Sequence, residues 1–404
     1  MIALLGFGKT NQALLKYINA QGIGCVISDD AFQEESRDEF GNIFTQDFAR
    51  FETTMQIPSP GIPPYNTMIK QSSNLVSEYD YILSQIHEKQ IWVSGTNGKT
   101  TTTEMLEWVL RDFGGMSGGN IGTPLAVLAE YKPRIWILET SSFSLHYTRR
   151  VSPQCYILLP LSEDHISWHG SYEAYIRDKL GVLERMSEES VAFIPKNLQS
   201  HTRGFKGRVF LYEDSKDLAD AFGINLEKIP FKEPFLLDAL LALCGAEVVC
   251  GQSRVEAIKD YKIGGHKIEE FRDSRGRLWV NDSKGTNADA SIWALRTYKG
   301  RKIFLILGGE DKGADLSDLF KEMQGEDIEI FAIGKNAQKL QELSKKYSIP
   351  CKVCGVLHKA VESIHLLHSQ ESVALLSPAA ASLDQYASYK HRGEEFVRFV
   401  QSLG

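Results

Sequence analysis

Cysteine is scarce in this chain of 404 residues, and positive charges are fewer than negative ones. The chain has six cysteines, which is too few for a disulfide scaffold. Lys and Arg number 45 against 52 Asp and Glu, so the formal net charge is −7. Non-specific nucleic-acid binding depends on an excess of cations that neutralise phosphates, and we therefore expect no nucleic-acid partner. Any phosphate that the protein binds must be held by a local site.

The sequence has no hydrophobic run of the length that a membrane span needs. Residues 239–250 come nearest, but this run is short and contains Glu247. The opening, MIALLGFGKTN, has no basic segment before its apolar residues, and Gly and Lys interrupt these residues within ten positions, unlike a secretory signal. We therefore expect a soluble cytoplasmic protein that is not inserted in a membrane.

Composition and patterning predict a multidomain α/β protein. Hydrophobic residues make up 43% of the chain and charged residues 24%, as in ordinary globular proteins. At roughly 100–200 residues per domain, the length predicts two to four domains. Strand and helix patterns alternate through three blocks, 1–88, 89–262 and 263–404, and such alternation predicts parallel sheets. We therefore expect three domains.

The apolar patterns also predict individual elements. Strands are expected at 2–5, 24–27, 91–94, 134–139, 155–159, 191–194, 278–281, 302–307, 328–333 and 372–376. Helices are expected up to about Gln21 and at 76–88, 100–113, 172–187, 235–249, 287–298, 336–346 and 384–402. The turn formers at 58–64 predict an irregular loop.

The first block opens like a dinucleotide-binding domain, with a strand, the turn Gly6-Phe7-Gly8 and a helix. The third glycine of G-x-G-x-x-G is absent, because Asn11 stands at that position. A shortened motif is a weak signal. Nicotinamide binding is thus the minority interpretation, and a tight turn without a ligand is the alternative.

The strongest single signal is a glycine-rich loop between the strand at 91–94 and the next helix. The loop consists of Gly95, Thr96, Asn97, Gly98, Lys99, Thr100 and Thr101. Glycines let backbone N–H groups close on phosphate oxygens, a lysine adds positive charge, and a threonine hydroxyl can bind Mg²⁺. Val93 stands where the usual motif has its first glycine, so a chance glycine-rich turn is the alternative. We expect a nucleotide-phosphate loop.

Acidic and histidine side chains follow two further strands of the second block. Glu139 ends the strand at 134–139, and the run 163–165 (Glu-Asp-His) follows the strand at 155–159. Ligands of open α/β sheets bind beyond the carboxyl ends of the strands. A phosphate loop, a carboxylate and a histidine at one edge would suit a magnesium nucleotide. Each residue alone could equally be structural.

The third block repeats the pattern of a strand followed by a polar turn. The turns are 281–287 (NDSKGTN), 307–312 (LGGEDK) and 376–382 (LSPAAAS). Their Lys, Ser and Thr residues suit a small anionic substrate, while ordinary turn chemistry explains each of them singly. Lys179, by contrast, is by composition alone a surface lysine in a helix.

Two metal-like patterns carry little weight. Cys351-x-x-Cys354 with His358 resembles half of a zinc site, but no second Cys pair follows. His165 and His169 have helical spacing but lack the glutamate of the H-E-x-x-H metalloprotease motif. We expect neither structural zinc nor a metalloprotease.

Taken together, the motifs resemble the Mur ligases of bacterial peptidoglycan synthesis. The matching segments are GTNGKTTTTEML (95–106), GGNIGTPL (118–125), ETSSF (139–143), EDH (163–165), NDSKGTN (281–287), LGGEDKGADL (307–316) and LLSPAAASLDQY (375–386). They occur in the family's order and span almost the whole chain. The last two are most similar to the family member that adds D-glutamate.

The resemblance implies three domains: a Rossmann-like N-terminal domain for a UDP-sugar, a central P-loop ATPase domain and a Rossmann-like C-terminal domain that brings the amino acid. It also implies the reaction. The carboxylate of UDP-N-acetylmuramoyl-L-alanine attacks the γ-phosphate of ATP, and the amine of D-glutamate then attacks the acyl-phosphate to give an amide. Bringing two anions together needs Mg²⁺ and lysines.

Residue roles follow from the resemblance alone. It implies catalytic roles for Lys99, His165 and Lys179, with Lys179 carbamylated and so able to bind Mg²⁺. The implied ATP residues are Gly95 to Thr101, His266, Asp282 and Lys284. The implied metal-binding residues are Thr100, Glu139, His165 and Lys179. The implied UDP-sugar residues are Lys9, Thr10, Ser59, Pro60, Gly61, Asn120 and His165. The implied D-glutamate residues are Thr286, Lys312, Ser377, Leu383 and Tyr386.

The sequence departs from the family pattern at two places. The stretch 233–238 (EPFLLD) stands where the family has H-N-x-x-N, and Lys267 replaces the arginine that usually follows the interdomain histidine, here His266. Adenine and ribose contacts are expected to differ accordingly.

Three other functions remain as alternatives. They are a folylpolyglutamate synthase of the same superfamily, a P-loop GTPase or kinase, and a nucleotide-binding module without catalysis. The S-P-A-A-A-S-L-D-Q-Y run argues against the first, and the lack of an N-K-x-D loop argues against a GTPase. We expect a monomeric enzyme.

Overall fold

A computed structural model of the chain describes residues 1–120, 122–310, 313 and 315–404. These residues form two compact units, Met1–Tyr261 and Lys262–Gly404. The first unit holds two sheets and the second holds one, and each sheet is mostly parallel with helices between its strands. The predicted α/β class is confirmed. Across the described ranges no helix is both long enough and apolar enough to cross a membrane.

The N-terminal sheet has the strand order β3-β4-β2-β1-β5. Its strands are β1 (Ile2–Leu5), β2 (Cys25–Ser28), β3 (Ser36–Arg37), β4 (Ile43–Thr45) and β5 (Met55–Pro58). Its helices are α1 (Lys9–Asn19), α2 (Thr67–Gln71) and α3 (Glu78–Leu83). The helix predicted over 76–88 is wrong in length. The observed helix, α3, begins after Ser77, whose hydroxyl accepts a hydrogen bond from the backbone N–H of Asp80. It ends at Leu83, before the next strand begins at Lys89.

The central sheet has the order β11-β10-β9-β6-β8-β7 and is wholly parallel. Its strands are β6 (Lys89–Ser94), β7 (Gly115–Gly119), β8 (Ile135–Glu139), β9 (Cys155–Leu158), β10 (Val191–Pro195) and β11 (Arg208–Tyr212). Its helices are α4 (Lys99–Leu110), α5 (Leu125–Tyr131), α6 (Ser142–Tyr147), α7 (Ile166–His169), α8 (Tyr172–Leu180), α9 (Ser215–Phe222), α10 (Phe235–Cys250) and α11 (Val255–Ile258).

Two predicted helices of this block are α-helical at first and end as 3₁₀ turns. The helix predicted over 100–113 is α-helical to Leu110 and continues as the 3₁₀ turn Arg111–Phe113. The helix predicted over 172–187 is α-helical to Leu180 and continues as the 3₁₀ turn Gly181–Arg185. Such turns commonly tighten the last residues of a helix.

The sheet of the second unit has the order β12-β13-β17-β14-β15-β16, with β12 antiparallel to β13. Its strands are β12 (Glu269–Arg272), β13 (Leu278–Asn281), β14 (Ile303–Gly308), β15 (Ile328–Ile333), β16 (Cys351–Gly355) and β17 (Val373–Leu376). Its helices are α12 (Ala288–Thr297), α13 (Ser317–Met323), α14 (Ala337–Tyr347), α15 (Leu357–Leu367) and α16 (Tyr389–Gln401). The four strands predicted in this block are confirmed. The last helix begins at Tyr389, not at 384, because Ser388 caps it through the N–H of His391.

A continuous core joins the two sheets of the first unit. One cluster of buried side chains includes Leu4 and Ile27 of the N-terminal sheet together with Trp92 and Leu138 of the central sheet. Tyr79 packs edge-on against Trp92, with ring centroids 5.2 Å apart. The domain boundary near residue 88 stays a prediction, since this core runs across it.

Candidate active site

Three neighbouring strands of the central sheet end beside one another. β6 lies between β8 and β9, and all three run parallel. Their carboxyl ends carry the glycine-rich loop, Glu139 and the segment 159–165, respectively. The edge of the sheet where ligands bind in open α/β folds thus carries all three sequence signals.

Only glycine fits at two positions of the glycine-rich loop. Gly95 has φ +147° and Gly98 has φ +79°, a region that other residues rarely adopt. A Cβ on Gly95 would lie 2.5 Å from Cβ of Leu159, and one on Gly98 would overlap the carboxylate of Asp238. Glycine at both positions therefore lets the backbone pack closely against Leu159 and Asp238, and the loop leads directly into the N-terminus of α4, as in a phosphate cradle.

Thr96 ties this loop to the neighbouring segments. Its hydroxyl lies 2.9 Å from the hydroxyl of Tyr175 and donates to the carbonyl of Ser162 at 3.1 Å. The backbone N–H of Ser162 donates back to the Thr96 hydroxyl at 3.0 Å. These contacts fix the loop against both α8 and the segment that follows β9.

Lys99 folds back over the loop that precedes it. Its Nζ donates to the carbonyls of Gly95 at 2.9 Å and Thr96 at 2.7 Å. Burial lowers the pKa of Lys99, whereas the negative charges of Glu139 and Asp164 act to raise it. The ammonium is thus held against carbonyl groups of the loop itself.

Lys179 is buried, contrary to the surface position that composition suggests. Lys179 is 1% exposed, and its Nζ donates to the Ser94 hydroxyl at 3.1 Å and to the Gly95 carbonyl at 3.0 Å. Burial, together with the positive charge of Lys99, holds the pKa of Lys179 well below its ordinary value. Its amine is therefore far more readily neutral than that of a surface lysine.

Glu139 presents an unused carboxylate oxygen to the same edge. The residue is buried, and its Oε1 accepts from the side-chain amide of Asn120 at 2.9 Å. Its Oε2 has no hydrogen-bond partner within the part of the chain that the structure describes. A buried, unpartnered carboxylate oxygen is costly unless a cation or donor meets it. Asn120 thus contacts Glu139 twice, through its side-chain amide on the carboxylate and through its backbone N–H, which donates to the main-chain carbonyl of Glu139 at 2.9 Å.

His165 caps the short helix α7 with a left-handed backbone at φ +53°. Its ring packs against Phe143 at a centroid distance of 4.6 Å, and its Nε2 lies 3.5 Å from the Asp164 carboxylate. Among the described residues, no group of three or more His, Cys, Asp or Glu side chains is arranged to hold a metal ion. A divalent cation here would need further ligands beside the Glu139 carboxylate, such as hydroxyls and phosphates.

The predicted UDP-sugar residues of the N-terminal sheet lie on two adjacent loops. These loops follow the paired strands β1 and β5, and the N–H of Ser59 donates to the Leu5 carbonyl at 2.7 Å. A Cβ on Gly6 would lie 2.8 Å from Cδ1 of Ile62, so the loops touch. The structure places Lys9 and Thr10 in the first turn of α1, and Ser59, Pro60 and Gly61 in the facing loop.

Three predicted ATP residues of the second unit lie together. The Ile268 N–H donates to the Asp282 carboxylate at 3.2 Å, and the Lys284 N–H donates to the His266 carbonyl at 3.0 Å. Nδ1 of His266 lies 2.9 Å from the Asn281 amide. Burial raises the pKa of Asp282 to about 7, against the lowering effect of its hydrogen bond from Ser377.

The predicted D-glutamate residues differ in their exposure. Ser377 is fully buried and donates to Asp282 at 2.6 Å, whereas Thr286 and Leu383 are exposed and Tyr386 is half-buried. Lys312 lies outside the described residues. Ser377 thus supports the Asp282 turn, and the exposed residues are those directly open to a ligand.

Sequence reasoning missed Asp238, which faces the glycine-rich loop. It lies in the first turn of α10, is buried, and accepts from the Thr102 hydroxyl at 3.1 Å. The available signal was a single acidic residue in the otherwise apolar run 235–243. Asp238 belongs to the stretch that departs from the family's H-N-x-x-N, so the departure lies directly on the loop.

A phosphate cradle with one half-buried lysine, one fully buried lysine and a buried carboxylate is typical of a P-loop type of nucleotide site. Comparison with known proteins narrows the class. Residues 93–235 match the family described as the Mur ligase middle domain. The chain is 46% identical over 404 residues to the UDP-N-acetylmuramoylalanine–D-glutamate ligase of Campylobacter jejuni (strain RM1221), covering 100% of both chains.

Two further similarities point the same way. The chain is 42% identical over 417 residues to the ligase of the same name from Helicobacter pylori (strain HPAG1), covering 99% of each. Its fold is similar to that of the MurF ligase from Thermotoga maritima in complex with ADP, with a TM-score of 0.60, 14% identity, and coverage of 99% of this chain and 94% of that one. The chain therefore belongs to the Mur ligase family, among the UDP-N-acetylmuramoylalanine–D-glutamate ligases.

Proposed function

We propose that the protein joins D-glutamate to UDP-N-acetylmuramoyl-L-alanine at the expense of ATP. In the first step a carboxylate oxygen of the UDP-sugar bonds to the γ-phosphorus, and ADP leaves. In the second step the amine of D-glutamate bonds to the acyl carbon, phosphate leaves, and the amine loses a proton. The observation that carries the proposal is the phosphate cradle with the half-buried Lys99 and the fully buried Lys179, in a chain that matches its relatives over their full length.

The residues at 95–101 would hold the ATP phosphates. Backbone N–H groups at the start of α4 and the Lys99 ammonium would together offset negative charge that develops during phosphoryl transfer. Because the geometry is set before substrate arrives, little reorganisation is needed.

Mg²⁺ fits the donors present at this edge. The unpartnered Oε2 of Glu139 supplies one oxygen, and Thr100, His165 and a carbamylated Lys179 are the other proposed ligands. When bound, the ion would reduce the repulsion between the phosphate and the attacking carboxylate. The surrounding residues would orient these donors through Asn120 and Ser94.

The environment of Lys179 supports the proposed carbamylation. A neutral amine attacks carbon dioxide, an N–C bond forms, and the nitrogen releases a proton to leave a carbamate anion. The reaction needs the unprotonated amine, which the lowered pKa of Lys179 favours. The product places an anion beside the Lys99 ammonium, and so the two side chains attract each other where two ammonium groups would repel.

Substrate residues are proposed on the remaining loops. Lys9, Thr10, Ser59, Pro60, Gly61, Asn120 and His165 would contact the UDP-sugar. His266, Asp282 and Lys284 would contact ATP, and Thr286, Lys312, Ser377, Leu383 and Tyr386 would hold D-glutamate. A cation and hydroxyls suit its two carboxylates. We further propose a monomer without a nucleic-acid partner.

One assay tests the activity. Phosphate release from ATP is measured with UDP-N-acetylmuramoyl-L-alanine across a panel of amino acids that includes both glutamate enantiomers. Release that depends on the UDP-sugar and is greatest with D-glutamate is expected. Equal release with L-glutamate and a folate in place of the UDP-sugar would favour a folylpolyglutamate synthase instead.

A further inference from the structure

Two histidines and an aspartate form a hydrogen-bonded group that the proposed reaction does not use. Oδ2 of Asp178 lies 2.9 Å from Nδ1 of His146 and 2.7 Å from Nδ1 of His169. A carboxylate only accepts hydrogen bonds, so both Nδ1 atoms donate. Nε2 of His169 lies 2.9 Å from the Ser142 hydroxyl. Both imidazole rings are thereby fixed in orientation.

Both rings contact the indole of Trp168. The centroid distances are 4.4 Å to His169 and 5.1 Å to His146. Phe143 covers the same indole at 4.7 Å. Trp168 is 8% exposed, and these three rings enclose its indole together with the ring of Tyr147, whose centroid is 6.0 Å away.

The polar edge of Trp168 reaches the loop proposed for the UDP-sugar. Its Nε1 donates to the Gly61 carbonyl at 3.2 Å. The hydroxyl of Tyr147, which lies on α6 next to His146, donates to the Ile62 carbonyl at 2.7 Å. Two successive carbonyls of this loop are thus held by side chains of the central sheet's helices.

We infer that Trp168 and Tyr147 are positioning residues for the UDP-sugar loop at 59–62, and that Asp178 orients Trp168 through the two histidines. Asp178 directly precedes Lys179, so one helix fixes both the loop and the buried lysine. A loop held in its binding conformation loses less entropy when the ligand binds. The inference rests on the proposed function for the identity of the ligand alone.

The variant Trp168→Phe tests the inference, because it keeps an aromatic ring and removes the N–H donor. KM for UDP-N-acetylmuramoyl-L-alanine is expected to rise roughly three- to tenfold, the loss of one hydrogen bond, with KM for ATP and kcat nearly unchanged. Trp108→Phe is the matched control, since Nε1 of Trp108 donates to the Ala257 carbonyl at 2.8 Å, on a different part of the unit. An equal rise in the control would overturn the inference.

Tyr147→Phe keeps the test decisive if Trp168→Phe folds poorly, and Asp178→Asn tests the role of the aspartate where Trp168→Phe folds. Tyr147→Phe removes the second anchor and is expected to raise the same KM. Asp178→Asn is expected to act less than additively with Trp168→Phe, because both affect the same indole. Strict additivity in this double-mutant cycle would contradict the role of Asp178.

Hydrogen exchange of the free protein separates this inference from the proposed function. Faster exchange at Gly61 and Ile62 in Trp168→Phe, but not in Trp108→Phe, is expected whatever the substrate is. A parent chain that releases no phosphate with the UDP-sugar contradicts the proposed function only. Unchanged exchange in the loop contradicts the inference only.

Discussion

Lys99 and Lys179 donate to the same acceptor, the backbone carbonyl of Gly95, at 2.9 and 3.0 Å. Two ammonium groups that share one acceptor repel each other, and burial strengthens this repulsion. The positive charge of Lys99 is accordingly one cause of the low pKa of Lys179. The repulsion between the two lysines decreases when an anion binds, when one amine becomes neutral, or when one amine is converted to an anionic carbamate. These outcomes suit a site that gathers phosphates.

Replacement of Lys99 is expected to separate catalysis from UDP-sugar binding. Lys99→Ala removes the charge over the phosphate cradle, while the UDP-sugar loops lie on the N-terminal sheet. We expect phosphate release to fall by roughly 10²–10³-fold or more. Calorimetry with UDP-N-acetylmuramoyl-L-alanine should show nearly unchanged affinity. Lys196→Ala, at an exposed pair with Glu213, is the control. Lost UDP-sugar binding by a folded Lys99→Ala protein would refute this separation.

Replacement of Lys179 tests the carbamate. Lys179→Ala is expected to be nearly inactive, because no anion remains to complete the proposed metal ligands. Short carboxylates such as acetate should restore part of the phosphate release by filling the space of the missing side chain. In the parent protein, labelled bicarbonate should give a carbamate resonance that Lys179→Ala lacks. A fully active variant would show that no carbamate is needed.

The glycine-rich loop should not tolerate a methyl group. Gly95→Ala places Cβ 2.5 Å from Cβ of Leu159 and strains a backbone at φ +147°. We expect a loss of about 1–3 kcal/mol in the free energy of unfolding. Gly181→Ala is the matched control, because its Cβ would meet nothing within 4 Å and its φ of −59° is helical. Thermal unfolding of both variants checks the contrast, and equal midpoints would show that the loop adapts.

Asp282 should make the second unit less stable as the pH rises. Its pKa is about 7 in the fold and 3.8 ordinarily, so between about pH 4 and 7 the folded state binds a proton that the unfolded state lacks. Stability therefore falls with rising pH across this window and is level above it. The difference between 3.8 and about 7 corresponds to roughly 4 kcal/mol.

Asp282→Asn removes this dependence while its side-chain oxygen still accepts from Ser377. Hydrogen exchange in β13, compared between variant and parent at each pH, measures the effect. The exposed Asp318→Asn serves as the control. A parent whose β13 protection does not fall relative to the variant between pH 4 and 7 would show that Asp282 is ionised throughout.

The glycine-rich loop was predictable from sequence, because its chemistry depends on local spacing between a strand and a helix. The neighbouring position of Glu139 was also predictable, since parallel strands end at one edge. The burial of Lys179 was not predictable, because nothing in the sequence of α8 shows that its Nζ reaches Ser94 at the end of β6. Contacts between distant residues, such as Thr102 and Asp238, which are 136 residues apart, are fixed only by packing.

Some elements were missed for a different reason. β7 reads Gly-Met-Ser-Gly-Gly, and glycine has low strand propensity, so no apolar pattern marks it. Its strand form depends on pairing with β8 along its whole length. Small residues are nevertheless required there, because a Cβ on Gly119 would lie 2.6 Å from the Glu139 carbonyl.

The hydrophobic core that extends across residue 88 limits where the chain can be divided into fragments that fold. A fragment that began at residue 89 would lack Tyr79 and the N-terminal sheet. The side of the central sheet that carries Trp92 would then expose a broad apolar surface to water. Such a fragment is expected to precipitate on expression. A fragment that began at Lys262 keeps its own interior around Leu305 and Phe331, and should be recoverable after limited proteolysis. The boundary between Tyr261 and Lys262 is therefore the one that suits the design of fragments for screening and isotope labelling.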